Sequence, residues 1–193
     1  MRVSHLDRIY GNPADANGKL DREWYEQNIV SVLLPYRMRR AGNEESIGVR
    51  RVRFHRKKAY DLVGALRTIW YCARNLVAQE VDLERCPRAE RDGLTMSRLR
   101  DDALDRFGGS FCFRTIRGGT RLSEHARGTA IDIDPEGNPL GSRSVRMPNY
   151  AIAAFRAWGF AWGGDFADRR DPMHFEAVAP IAGDRRSQGR IYA

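Results

Sequence analysis

Apolar residues fall at two different spacings along this chain, and the change from one to the other marks out its elements. Residues 49–55 alternate, with Val52 and Phe54 on one face and Arg51, Arg53 and His55 on the other, which predicts a half-buried strand. From Lys58 to Val77 the spacing becomes helical. Leu62, Leu66, Ile69, Ala73 and Leu76 recur at three and four residues while Arg67 and Arg74 fall off the stripe. Trp70 and Tyr71 are expected to pack there rather than to form a ligand platform. Residues 81–93 are charged, contain Cys86-Pro87, and read as a loop. Thr95 to Phe107 reads as a second helix with Met96, Leu99, Ala103 and Phe107 inward, stopped by Gly108-Gly109. Ser110 to Thr115 is short, aromatic and strand-like.

Two further strands complete the pattern. In the first, Gly128 to Asp134, period-two geometry sends Ile131 and Ile133 to the core and Ala130, Asp132 and Asp134 to the other face. After a loop over residues 135–147, Pro148 suits the first turn of a helix that buries Ile152, Phe155 and Trp158 and ends at Gly159. The last strand, Met173 to Val178, points His174 and Glu176 one way and Phe175 and Ala177 the other. If it pairs with the strand carrying Asp132, the polar residues of both share a face. Residues 1–48 are punctuated by Gly11-Asn12-Pro13 and Asn17-Gly18 and read as irregular. Trp24, Tyr25, Ile29, Val32 and Leu33 nevertheless give that stretch enough apolar surface to be an integral arm rather than a linker. Residues 181–193 are polar and basic, and read as a flexible tail. The expected fold is α+β, a small antiparallel sheet with helices packed on one side, in a single domain spanning 1–193.

Composition narrows the partners. A chain of 193 residues, 42% hydrophobic and 10% aromatic, can bury a core of its own. Its net charge of +8 and pI near 9.9 favour an acidic partner, such as wall polymer, nucleic acid or anionic lipid, without choosing among them. No recognition helix or aromatic ribonucleoprotein motif supports a specific nucleic-acid binder. Cys72, Cys86 and Cys112 are odd in number and include no C-x-x-C pair, so free thiols in a reducing compartment are expected. The first residues lack the apolar core of a signal peptide, and the apolar run from Ile29 to Leu34 stops at Pro35. The expectation is a chain without a transmembrane segment, made in the cytoplasm.

The chemistry concentrates between residues 110 and 178, the expected metal-site core. A loop delivers His125, Gly128 lets the backbone turn, and the following strand presents Asp132; the second half offers Asp171 and His174. Two histidines and one aspartate make an open zinc site whose fourth position is left for water. Asp171 is then free to act as a base on that water. Asp134 competes with Asp132 as third ligand, because it shares the strand face. Isolated histidines such as His5 and His55 read as structural or solvated.

Ser123-x-His125, Gly128-x-Ala130-x-Asp132 and Asp171-x-x-His174 together resemble the zinc peptidases that include D-alanyl-D-alanine carboxypeptidases and L-alanyl-D-glutamate endopeptidases. Arg117-Gly118-Gly119 and Trp162-Gly163-Gly164-Asp165 are similar to the endopeptidase and phage-endolysin branch. The resemblance favours Asp132 over Asp134 and implies zinc held by His125, Asp132 and His174, with Asp171 as base where many relatives carry glutamate. It also implies a peptidoglycan stem-peptide substrate, with L-alanyl-D-glutamate endopeptidase the first expectation. D-alanyl-D-alanine carboxypeptidase, or a non-catalytic zinc-containing wall-binding domain, are the alternatives. Ser123 lacks a hydrolase elbow and is expected to steady the loop or the substrate rather than attack it. Arg117 would suit a substrate carboxylate or the oxyanion, with Arg114 and Arg121 as rivals, and Trp162 would wall the cleft or fill core.

Overall fold

The structure is a computed structural model that describes residues 5–43 and 48–178; the expected tail at 181–193 lies outside the described residues. Two short helices, α1 (His5–Tyr10) and α2 (Arg22–Asn28), lead into a long strand, β1 (Ile29–Arg40), and its antiparallel partner β2 (Val49–His55). Then come α3 (Ala59–Ala78), α4 (Arg88–Asp101), β3 (Arg106–Gly109), α5 (Glu124–Arg127) and β4 (Ala130–Ile133). The chain continues through α6 (Asn149–Ala157), β5 (Phe160–Trp162), a single 3-10 turn at Gly163–Asp165, and β6 (His174–Ala177). The six strands are ordered β2-β1-β3-β4-β6-β5; every pairing is antiparallel except β1 with β3. The fold is therefore α+β as expected, with one parallel pairing in a mostly antiparallel sheet. Among the described residues no helix is long and apolar enough to cross a membrane.

The arm is more regular than its turn signals suggested. Asp21 caps α2 by accepting from the Trp24 N–H, and the Trp24 indole donates to the Tyr10 carbonyl at 3.0 Å, which joins the two short helices. In β1 the buried residues Val32, Leu34, Tyr36 and Met38 alternate with outward ones. Pro35 is tolerated because the register with β2 breaks between Leu33 and Met38, so no ladder hydrogen bond is lost at the proline.

The region between α3 and β4 needs correction too. The second helix starts at Arg88, inside the expected loop, and ends at Asp101 rather than Phe107. Ala103, at φ 56, turns the chain out of the helix, and Phe107 then enters β3. Gly108-Gly109 belongs to that strand and is no helix cap. Ser110–Thr115 is not a strand; Thr115 makes only an isolated bridge to Leu122. Gly108 suits β3 because a Cβ there would lie 2.9 Å from the Asp132 Cβ.

α3 and α6 cover one side of the sheet. Leu62, Leu66, Ile69 and Phe155 form a core with Phe54, Ile131, Ile133 and Phe175, and the Phe155 and Phe175 rings stack at 4.0 Å. Strand geometry then turns Asp132, His174 and Glu176 to the opposite face, as the alternation predicted.

Candidate metal centre

The register of β4 on β6 pairs Asp132 directly with His174, so both side chains rise from adjacent strands at one level. His125 arrives from α5. Ser123 caps that four-residue helix, its hydroxyl accepting from the His125 N–H at 3.3 Å. Gly128 ends it at φ 67, where a Cβ would stand 2.7 Å from Ile29 Cδ1 and 3.1 Å from the His55 nitrogen. The three side chains meet closely. His125 Nε2 lies 3.2 Å from His174 Nδ1 and 3.1 Å from Asp132 Oδ2, and His174 Nδ1 lies 2.9 Å from Asp132 Oδ1.

The outer nitrogens decide what those inner atoms are. His125 Nδ1 sits 2.6 Å from the Ser110 carbonyl, which can only accept, so that nitrogen carries the hydrogen. His174 Nε2 sits 3.1 Å from Glu176 Oε2 and donates to it in the same way. In their neutral forms both rings then aim lone pairs at each other and at a carboxylate. Three acceptors at this spacing repel unless a cation or a proton lies among them. Burial opposes charging His174, but its bonds to Asp132 and Glu176 outweigh burial and raise its pKa. Burial likewise pushes Asp132 up, yet the two histidines win and hold it well below the usual carboxylate range.

The donor set fits zinc. Tetrahedral coordination at about 2.0–2.2 Å puts ligand atoms roughly 3.3–3.6 Å apart, so the cluster need open by only a few tenths of an ångström. His125, Asp132 and His174 form the group able to hold a metal among the described residues. The carbonyl of Ser110 and the carboxylate of Glu176 would orient the two imidazoles from behind. Asp134 is otherwise occupied: at φ 47 it accepts from the Asn138 amide at 3.0 Å and from the Gly137 N–H at 3.3 Å, fastening the loop after β4.

Asp171 stands at the head of the β6 turn. Its N–H donates to the Gly163 carbonyl at 2.8 Å and its own carbonyl accepts from the His174 N–H at 2.9 Å. Its side-chain Oδ1 is buried without a hydrogen-bond partner. Burial raises its pKa, the Asp132 charge adds to this, and the histidines and Arg114 oppose it. An unpartnered, buried carboxylate oxygen beside three metal-binding groups is placed to receive a proton from a molecule in the site. Trp162 reaches the same turn, its indole N–H donating to the Pro172 carbonyl at 2.8 Å. It is half-buried and holds the segment next to Asp171 in place.

The arginines separate. Arg114 lines a pocket of about 390 Å³ together with Phe111, His125 and Asp132, and its charge is felt at Asp171. Arg117 and Arg121, exposed as Arg114 is, lie on the turn between Thr115 and Leu122 and are not among the residues that line this pocket. Sequence reasoning missed a buried support behind His125. Arg127 pairs with Glu124 at 2.9 Å and with Asp7 of α1, and the Thr129 hydroxyl donates to Glu124. The proximity of Glu124 to Arg127 hinted at a local pair, but nothing in the chain pointed to Asp7.

Residues 117–177 match the model of the D-alanyl-D-alanine carboxypeptidase family. The match takes in all three side chains of the candidate metal cluster and Asp171, and it stops short of the β1–β2 hairpin. It supports a peptidase, a hydrolase of wall-derived peptides, and zinc is general in that family. It does not reach as far as the endolysin-like branch. No curated protein and no solved structure matches the chain.

Proposed function

We propose that this protein is a zinc metallopeptidase that hydrolyses peptidoglycan stem peptides, most specifically an L-alanyl-D-glutamate endopeptidase of the endolysin-like kind. The observation that carries the reading is the complementary pair of histidine tautomers around Asp132, next to the unpartnered oxygen of Asp171. Bound by His125, Asp132 and His174, zinc would supply Lewis-acid activation of the scissile carbonyl and of water.

The chain's own residues do the rest. Asp171 takes the proton of the attacking water and returns it to the leaving amine, and its raised pKa brings it closer to neutral working conditions. Arg114 lines the pocket beside Asp132, so we assign it, ahead of Arg117, to a substrate carboxylate or the developing oxyanion. Ser123 acts through His125 as its cap, and Trp162 acts through the Asp171 turn. The family description favours a second reading, removal of a terminal D-alanine.

Digestion of purified peptidoglycan with mass spectrometry of the fragments decides between them. New D-glutamyl amino termini establish the endopeptidase, and release of D-alanine alone establishes the carboxypeptidase. No zinc-dependent fragments of either kind would leave a non-catalytic wall-binding domain.

A further inference from the structure

The pocket that holds Asp132 extends away from the ligands along the β1–β2 hairpin, where its wall includes Ser31, Arg40, Arg51 and Arg53. Counting Arg114, four arginines line it, and the one acid among its described lining residues is Asp132. This imbalance has a structural origin. Val52 and Phe54 of β2 enter the core, so Arg51 and Arg53 must face out on the pocket side, and Ser31 is the cross-strand partner of Arg53. Arg53 is held in position: its Nη1 donates to the Tyr25 hydroxyl at 3.3 Å, and its guanidinium lies 5.3 Å from the centre of the Phe111 ring. The space next to Asp132 is open: a Cβ built at Gly109 would meet nothing closer than Asp132 Oδ2 at 4.0 Å.

Exposed arginines clustered with little opposing charge make a positive surface that attracts anions. Anionic wall peptides carry carboxylates at both the reacting end and further along the chain. We propose that Arg40, Arg51 and Arg53 form a second, carboxylate-binding subsite that holds a remote acidic group of the peptide whose scissile bond sits at the metal centre. The inference rests on the peptidase reading and names the part of the chain that sets its preference for acidic peptides. It concerns residues outside the segment 117–177 matched by the family.

The test is titration calorimetry with full-length, zinc-loaded protein carrying Asp171→Asn, which removes turnover. The probe is acetylated L-alanyl-γ-D-glutamyl-L-lysine, as the free acid and with its carboxylates amidated. The acid should bind about tenfold or more tightly than the amide at low salt. Adding Arg51→Gln and Arg53→Gln should shrink that advantage to about threefold or less. Arg67→Gln with Arg85→Gln, the same loss of charge at exposed positions elsewhere, should leave it intact. If the arginine pair proves essential for folding, Ser31→Glu places an acid on the same wall and should reduce the advantage by a similar factor.

An undiminished preference in both the arginine and the Ser31 variants overturns the proposal, as does an equal loss in the Arg67/Arg85 control. Loss of binding to a single-stranded oligonucleotide, with peptide binding unchanged, would reassign the patch to phosphate. The peptidase reading fails separately, if the unmodified zinc-loaded protein cuts no wall peptide, and calorimetry still reports on the subsite in that case.

Discussion

Replacing Gly163 by alanine tests whether the metal centre depends on the segment that delivers Asp171 and His174. An added Cβ at Gly163 would stand 2.4 Å from the Asp171 carbonyl oxygen and 3.1 Å from both the Asp171 and His174 Cβ atoms. Relief to ordinary contact requires a shift of about 0.8–1 Å at that carbonyl. The carbonyl cannot move alone, because it accepts the His174 N–H and the Asp171 N–H is bonded to Gly163 itself. Base and ligand therefore move together. A displacement of about 1 Å at a catalytic group costs roughly 10²-fold in rate, or about 2.7 kcal/mol in the barrier. Overpacking should also lower stability by about 1–3 kcal/mol. The assay is steady-state release of amines from wall fragments, alongside zinc content by elemental analysis and thermal melting by circular dichroism. Gly93→Ala is the control: Gly93 is exposed within α4 with no atom near its missing Cβ, so that variant should gain about 0.5–1 kcal/mol and keep its turnover. Wild-type turnover, zinc content and melting in Gly163→Ala would refute the reasoning.

Other outcomes follow from the same geometry. His125→Ala and His174→Ala should lose zinc on elemental analysis, while Asp171→Asn should retain it and lose about 10²–10⁴-fold in turnover; full zinc in both histidine variants would sink the assignment. Arg114→Ala should lower kcat/KM by about ten- to a hundredfold with zinc retained, and Arg117→Ala should stay near wild type in the same assay. Arg127→Leu leaves Glu124 buried without its partner and should cost about 3–5 kcal/mol in denaturant melts. His55 is fully buried, and burial lowers its pKa to about 4 from an ordinary value near 6.5. Its contribution to stability is complete above pH 6.5 and is lost as the pH falls towards 4, by roughly 3 kcal/mol in total. Melting temperatures of metal-free protein across that window should therefore fall less steeply in His55→Gln.

The chemistry of this chain was more legible than its framework. Strand period gave the outward face of Asp132 and of His174 on their own strands, and the β4–β6 pairing that the sequence left as a condition then puts both on one face. The β1 alternation of Val32, Leu34, Tyr36 and Met38 was equally present, but Pro35 and the outward Leu33 hid it. A proline there argues against a strand unless the ladder is known to break at that point, and this is a tertiary fact. Phe107 fitted the stripe of α4 by spacing, yet Ala103 adopts a positive φ that no local preference of alanine announces. The Ser110 carbonyl that fixes the tautomer of His125 is a backbone group, so no side-chain pattern could have revealed it. Asp7 was invisible for a different reason: its partner Arg127 lies 120 residues away.

The placement of β6 between β4 and β5 has a consequence for biosynthesis. Among the described residues β6 is the last strand in chain order, and it carries His174. During translation β4 and β5 therefore wait with exposed hydrogen-bonding edges until residues beyond Ala177 leave the ribosome. Metal capture cannot precede that closure, because no earlier length of chain offers more than two of the three ligands. A nascent chain stalled before His174 would be both unable to hold zinc and prone to pair its open edges with another chain. The same ordering keeps the three-residue cluster from assembling in partly made protein, so on the proposed reading any activity would begin only with β6 in place.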